Sequence, residues 1–369
     1  MHGQHLLVTI SGHGLGHLSQ ASAVINSLSS RYPRIKLSIR SSLATTVLQE
    51  WISPAFTHYC VEDDIGMRMT SALDVDLNAS EAAYTALHDQ WDLKVEALAT
   101  WLRQQHVTHV LTDVAYLPLA AAQYAAIPSA VICSLNWAEV IERYFSSEQA
   151  KYWKDQARQA YQQAKVFIQP APSMPMLWLD NRLPVAPIGR VGRCQREALI
   201  ARLALPANCY IVLVGMGGMA LSLSARHWAN ELHGRPVHYL LPDSQLSAIK
   251  GEEVLASYFH AVSHTDLMYQ DLMASVDLMI TKPGYGTFVE AAATGLPLLF
   301  VARDDWPDSD SLVQWIEKVG LSAQISRDAL ADGKFSCEME HLLNQERYPA
   351  ISPSGADQAA DYLVSFLHD

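Results

Sequence analysis

The sequence predicts an α/β protein built as two doubly wound domains with parallel sheets. Three observations carry this. The 369 residues exceed what one hydrophobic core usually organises. Short apolar runs alternate with helical patterns in both halves. Glycine-rich turns follow three of those runs, at Gly12–Gly16, Gly215–Gly218 and Gly284–Gly286.

The first run, His5 to Ile10, stops in glycines, as a buried parallel strand does. A helical pattern from about Leu18 to Ser29 places Ala21, Val24, Ile25 and Leu28 on one face. Ile35 to Ile39 then reads as a second strand. Ala79 to Gln105 is expected to be helical, His109 to Asp113 a strand, Pro118 to Ala126 a helix, Ser129 to Cys133 a strand, and Trp137 to Ala164 one long helix. Prolines cluster from Pro170 to Pro187, and proline resists both helix and sheet. The expected division is therefore an N-terminal Rossmann-like domain over residues 1–172, a linker over 173–187, and a second such domain over 188–355. Tyr210 to Val214, Pro236 to Leu241, Leu278 to Thr281 and Leu296 to Val301 are the strands of the second domain, with a helix from about Phe288. The amphipathic segment 356–369 is expected to return to the first domain as its closing helix.

Composition narrows the function classes. Half the residues are hydrophobic and 17% are charged, as in an ordinary globular protein. A net charge of -12 argues against nucleic-acid binding, which needs a basic footprint. The five cysteines form no CxxC pair, so neither a disulfide framework nor a zinc site is expected, and no metal is predicted. No run approaches the roughly 20 apolar residues of a membrane span, and the apolar run at the start is too short for a signal peptide. The expected location is the cytoplasm.

A glycine turn between strand and helix makes an anion site. The helix start offers unpaired N–H groups, and glycine lets a ligand approach the backbone. The carboxyl ends of parallel strands are also where ligands bind in open α/β sheets. The dinucleotide fingerprint fails, however. Gly16 comes one residue early, and the second strand ends in Arg40-Ser41-Ser42 without a carboxylate. The Gly-x4-Gly-Lys-Ser/Thr loop of P-loop NTPases is missing as well.

The segment Ser11-Gly12-His13-Gly14-Leu15-Gly16-His17-Leu18-Ser19-Gln20 resembles the start of GT-B-like proteins, in particular the N-terminal glycosyltransferase-like domain of plant L-arabinokinases. The resemblance continues at Thr112-Asp113 and Ser134-Leu135-Asn136-Trp137. It is strongest over Ser275 to Trp306, which is also similar to the donor-binding segment of MurG and UDP-glycosyltransferases. The kinase part of arabinokinases has no counterpart in these residues, so its phosphorylation chemistry is not expected.

That resemblance implies a GT-B fold, with two parallel sheets facing a central cleft, and a set of roles. Gly284, Tyr285, Gly286 and Thr287 form the helix start that holds the donor diphosphate. Gly215, Gly217 and Gly218 face it as a second glycine loop. Glu290 hydrogen-bonds the ribose hydroxyls, and Asp304 and Asp305 contact the donor sugar. His17 is the catalytic base and Asp113 its carboxylate partner. His13, Gly14, Gly16 and Trp137 border the acceptor. The chemistry suits these residue types, because a histidine titrates near neutrality and a carboxylate behind it fixes its tautomer. Each also has a plainer reading: His17 as a helix-packing residue, Asp113 as a turn former, Trp137 as core.

The expected function is metal-independent transfer of a sugar from a nucleotide donor, UDP-linked, to a hydroxyl acceptor, with no cofactor. Two alternatives stay open. One is a nucleotide-sugar epimerase or hydrolase of the same fold. The other is a non-catalytic module that binds sugar nucleotides.

Overall fold

A computed structural model of the chain describes residues 3–71, 73–216, 228–246, 256–303 and 305–368. In the first half, seven strands form one parallel sheet: β1 (His5–Thr9), β2 (Lys36–Ser41), β3 (Thr57–Cys60), β4 (His109–Thr112), β5 (Ser129–Ile132), β6 (Val166–Pro170) and β7 (Arg182–Val185). Their order is β3-β2-β1-β4-β5-β6-β7, so the winding reverses between β1 and β4. Residues at that reversal face an open crevice at the carboxyl ends of the strands. Thr9 of β1 stands opposite Arg40 on one side and Thr112 on the other.

The second half repeats the plan with β8 (Tyr210–Gly215), β9 (Glu231–Leu232), β10 (Arg235–Leu241), β11 (Phe259–Ala261), β12 (Leu278–Thr281), β13 (Leu298–Val301) and β14 (Ser322–Ile325). The parallel order is β11-β10-β8-β12-β13-β14, and the short β9 pairs antiparallel with β10. The winding again reverses beside the first strand of the half, between β8 and β12.

Several expected boundaries shift. The first helix runs Leu15–Arg31, so Gly16 and His17 lie in its opening turn. The single helix expected over Ala79 to Gln105 is two, Leu77–His88 and Trp91–Gln104, broken where Gln90 turns left-handed at φ 52°. Trp137 to Ala164 is also two helices, because Ser147 caps a new start by accepting from Ala150 N–H. The helix expected from Phe288 begins at Tyr285. Within the stretch expected as linker, Arg182–Val185 is the seventh strand. Pro184 is tolerated there because β7 is the edge of the sheet, where a missing N–H costs no pairing.

The two halves share buried apolar surface. One cluster joins Val8, Leu18 and Ile25 of the first half to Ile211, Phe288 and Val289 of the second. The closing helix, Gly355–Phe366, packs along the Leu15–Arg31 helix through Ala359, Ala360, Leu363 and Phe366. Gly355 is required at its start, since a Cβ would stand 1.8 Å from the carbonyl oxygen of Ala186. Outside, Arg31 reaches Asp357 at 3.0 Å and Asp361 at 2.7 Å. Exposed pairs of that kind contribute about 0–1 kcal/mol each, so apolar burial carries the contact. No helix among the described residues is long and apolar enough to cross a membrane.

Candidate active site

β1 delivers Ser11 to the cleft, and the chain then turns at Gly14, whose φ of 108° is one that side chains rarely adopt. Helix begins at once, which buries His17 under the end of the sheet. Asp113 arrives from the neighbouring strand, one residue past β4. His17 Nδ1 lies 3.3 Å from Asp113 Oδ2. The carboxylate is itself held by two backbone donors, Ser11 N–H at 2.8 Å and Val114 N–H at 2.5 Å. Burial alone would lower the pKa of His17, but the adjacent Asp113 carboxylate overrides it and holds the pKa well above the usual histidine range.

His13 has the opposite character. Burial, then the neighbouring charges of His17, Arg303, Lys282 and Arg68, push its pKa down to about 3. Its ring is edge-on to Trp137 at 5.6 Å and stacked on Trp306 at 6.0 Å. A Cβ on Gly66 would strike the same ring at 2.6 Å, so the loop crossing it needs glycine there, with φ 53°. Gly14 and Gly16 are exposed at the helix start. Trp137, expected to border the acceptor, is fully buried and packs against both histidine rings. It supports them from behind rather than facing open cleft.

The opposite wall is the start of the Tyr285–Thr294 helix, entered through Gly284. A Cβ on Gly286 would lie 3.8 Å from Ser19 Oγ, so the two helix starts meet across the cleft. Tyr285 is expected at the donor, yet its hydroxyl accepts from Ile188 N–H at 2.8 Å and donates to Ala171 O at 3.1 Å. Its side chain ties the crossing between halves, which leaves only its backbone at the helix start. Thr287 is half-buried, and Gly215 ends β8 next to Tyr269. Glu290 is buried, with Oε1 3.4 Å from Arg190 N and 3.9 Å from Arg190 Nε. Burial pushes its pKa up to about 7 against the pull of Arg190, whose guanidinium also lies 3.5 Å from the ring centre of Trp51. Asp305 borders a cleft of about 590 Å³ with Glu139, Arg143 and Trp306. Gly217, Gly218 and Asp304 lie outside the described residues.

Four residues at the site were not foreseen. Asp64 is buried beside Asp113, and burial followed by that neighbouring charge raises its pKa to about 7. Asp308 is buried with its pKa pushed up to about 6. Arg303 and Trp306 pack together, guanidinium over indole at 4.2 Å. Their signal in the sequence is their adjacency to Asp304-Asp305. Lys282 is half-buried with its pKa lowered to about 8, first by burial and then by Arg303. Among the described residues, no group of three or more His, Cys, Asp or Glu side chains is arranged to hold a metal ion.

Two parallel α/β units facing one cleft define the GT-B fold, and this chain has it. Of solved structures, UGT71G1 of Medicago truncatula, complexed with UDP-glucose, superposes with a TM-score of 0.64 at 12% identity, covering 100% of this chain and 99% of that one. A UDP-glucosyltransferase from Polygonum tinctorium gives 0.62 at 15% identity over 100% and 99%. MurG of Acinetobacter baumannii gives 0.56 at 14% over 99% of each. No protein-family model matches the chain. In sequence it is similar to an L-arabinokinase of Arabidopsis thaliana, 22% identical over 364 residues, which is 96% of this chain and 33% of that protein. The chain thus spans about a third of the curated relative it matches.

Proposed function

We propose that the protein is a glycosyltransferase that moves a sugar from a UDP-sugar to a hydroxyl acceptor. The observation that carries this is the placement of the His17–Asp113 pair at one helix start, with Gly286 of the other helix start packed against Ser19, two residues along. A base and an anion cradle then face the same space. The solved neighbours with this fold include one bound to UDP-glucose and one bound to UDP, which supports the choice of donor.

In the proposed reaction the acceptor oxygen attacks the anomeric carbon and forms the new glycosidic bond. The bond from that carbon to the phosphate oxygen breaks, and UDP leaves with the electron pair. The acceptor proton passes to His17, and Asp113 stabilises the resulting imidazolium. The backbone N–H groups at Gly284–Thr287 and the helix dipole stabilise the leaving diphosphate without a metal. Glu290 accepts from the two ribose hydroxyls, and Asp304 and Asp305 hold the donor sugar. His13, with its low pKa, is neutral at pH 7 and lines the acceptor side.

The test is UDP release from a UDP-sugar with a panel of hydroxyl acceptors. His17→Ala is expected to lower turnover by about 10²–10⁴-fold while leaving UDP affinity nearly intact. Undiminished turnover would remove the base assignment. Conversion of the donor without any acceptor would instead favour the epimerase or hydrolase reading.

A further inference from the structure

Arg303 and Lys282 place two cations at adjacent strand ends, with Arg303 packed on Trp306 of the cleft wall. Lys282 stands one residue past β12 and Arg303 two residues past β13. Arg303 is only 5% exposed. Its Nε and Nη2 are shut off from solvent and have no hydrogen-bond partner. Asp308, Asp305 and Tyr144 are close enough to act on its charge, yet none bonds to those two nitrogens. A buried guanidinium edge with no acceptor is unfavourable even beside carboxylates, so it marks a place where a hydrogen-bond acceptor is missing.

The two unpaired nitrogens form one edge of the guanidinium. That edge presents two parallel N–H donors, the fork that fits the two oxygens of a carboxylate. Trp306 covers the guanidinium at 4.2 Å, and the same indole stacks on His13, so the fork is held beside the proposed acceptor side of the cleft. The diphosphate has its own donors one strand away, at the helix start of Gly284–Thr287. The positions directly after Arg303 are those assigned to the donor sugar. A neutral sugar offers only separate hydroxyl oxygens there, which do not match the two parallel donors of the fork as a carboxylate does.

We propose that Arg303, assisted by Lys282, binds a carboxylate on the transferred sugar, so that the preferred donor is a nucleotide-linked uronic acid. This rests on the nucleotide-sugar reading above and specifies its substrate class. It can be tested by calorimetric titration of the whole protein with UDP, UDP-glucose and UDP-glucuronate, in the wild type, Arg303→Leu and Lys282→Met. The wild type is expected to bind UDP-glucuronate at least tenfold more tightly than UDP-glucose. Arg303→Leu is expected to erase that preference while UDP affinity changes less than threefold, and Lys282→Met to reduce it. Equal wild-type affinity for the two sugars would overturn the proposal and leave the transferase reading standing. An equal loss of UDP and UDP-glucuronate affinity in Arg303→Leu would also overturn it, by placing the guanidinium on the diphosphate. Failure of the wild type to bind UDP at all would remove the nucleotide reading and this inference together.

Discussion

The indole of Trp306 lies nearly parallel to the imidazole of His13, with ring centroids 6.0 Å apart and planes 14° apart. One ring comes from each half of the chain, so the pair fixes how the two walls of the cleft meet. Offset aromatic stacking contributes about 0.5–1.5 kcal/mol beyond area burial. Trp306→Ala is therefore expected to lower kcat/KM at least tenfold, with Trp306→Phe keeping most of the activity. Steady-state kinetics on both variants check this, and equal loss in the two would show that the stack is not what matters.

The His17–Asp113 contact makes a prediction about pH. A base acts only when neutral, and the His17 pKa is held well above 6.5 by Asp113. Activity should therefore rise with pH through a limb that lies above 6.5. Asp113→Asn is expected to shift that limb to lower pH while the maximum rate falls by about 10²–10⁴-fold. The same pair bears on stability. A raised histidine pKa stabilises the fold fully below 6.5, and that contribution is lost as pH climbs through the folded value. A kcat/KM profile of both proteins between pH 5 and 9 reads the effect.

Glu290 works in the opposite sense. Burial raises its pKa from 4.5 to about 7, so the fold favours the protonated form. Stability from this group is fully present below 4.5 and is lost as pH rises to about 7, by on the order of 3 kcal/mol. Glu290→Gln is thus expected to raise Tm at pH 8 more than at pH 5, and to weaken UDP binding at least tenfold. Thermal melts at the two pH values, paired with UDP titration, separate the effects.

Much of this site is legible in the sequence, for a local reason. A strand that ends in glycine and enters a helix announces itself within ten residues, which is how the turns Gly12–Gly16 and Gly284–Gly286 come forward, whereas His17 and Asp113 come forward through the resemblance to GT-B proteins. Arg303, Trp306, Asp308 and Asp64 do not announce themselves, because their meaning lies in burial and in contacts between distant segments. Asp64 matters through Asp113, 49 positions away in the sequence. Tyr285 shows the reverse problem: its position fits a donor contact, but its hydroxyl is taken by Ile188 and Ala171. β7 was hidden by Pro184, whose breaker signal is harmless on an edge strand.

The closing helix offers a test of what joins the halves. Leu363 is fully buried in the apolar cluster that spans both halves, so Leu363→Ala is expected to cost about 2–5 kcal/mol. Arg31→Ala, which removes exposed ion pairs, is expected to cost about 1 kcal/mol or less. Urea unfolding of the two variants would order them, and a larger loss for Arg31→Ala would contradict the packing account.

The most direct measurement of the central claim is a thermal shift of the wild-type protein across nucleotides and nucleotide-sugars. A UDP-sugar at about 100 times its dissociation constant is predicted to stabilise the fold by about 2.7 kcal/mol, with non-nucleotide sugars giving no shift. No shift with any nucleotide or nucleotide-sugar would contradict the account.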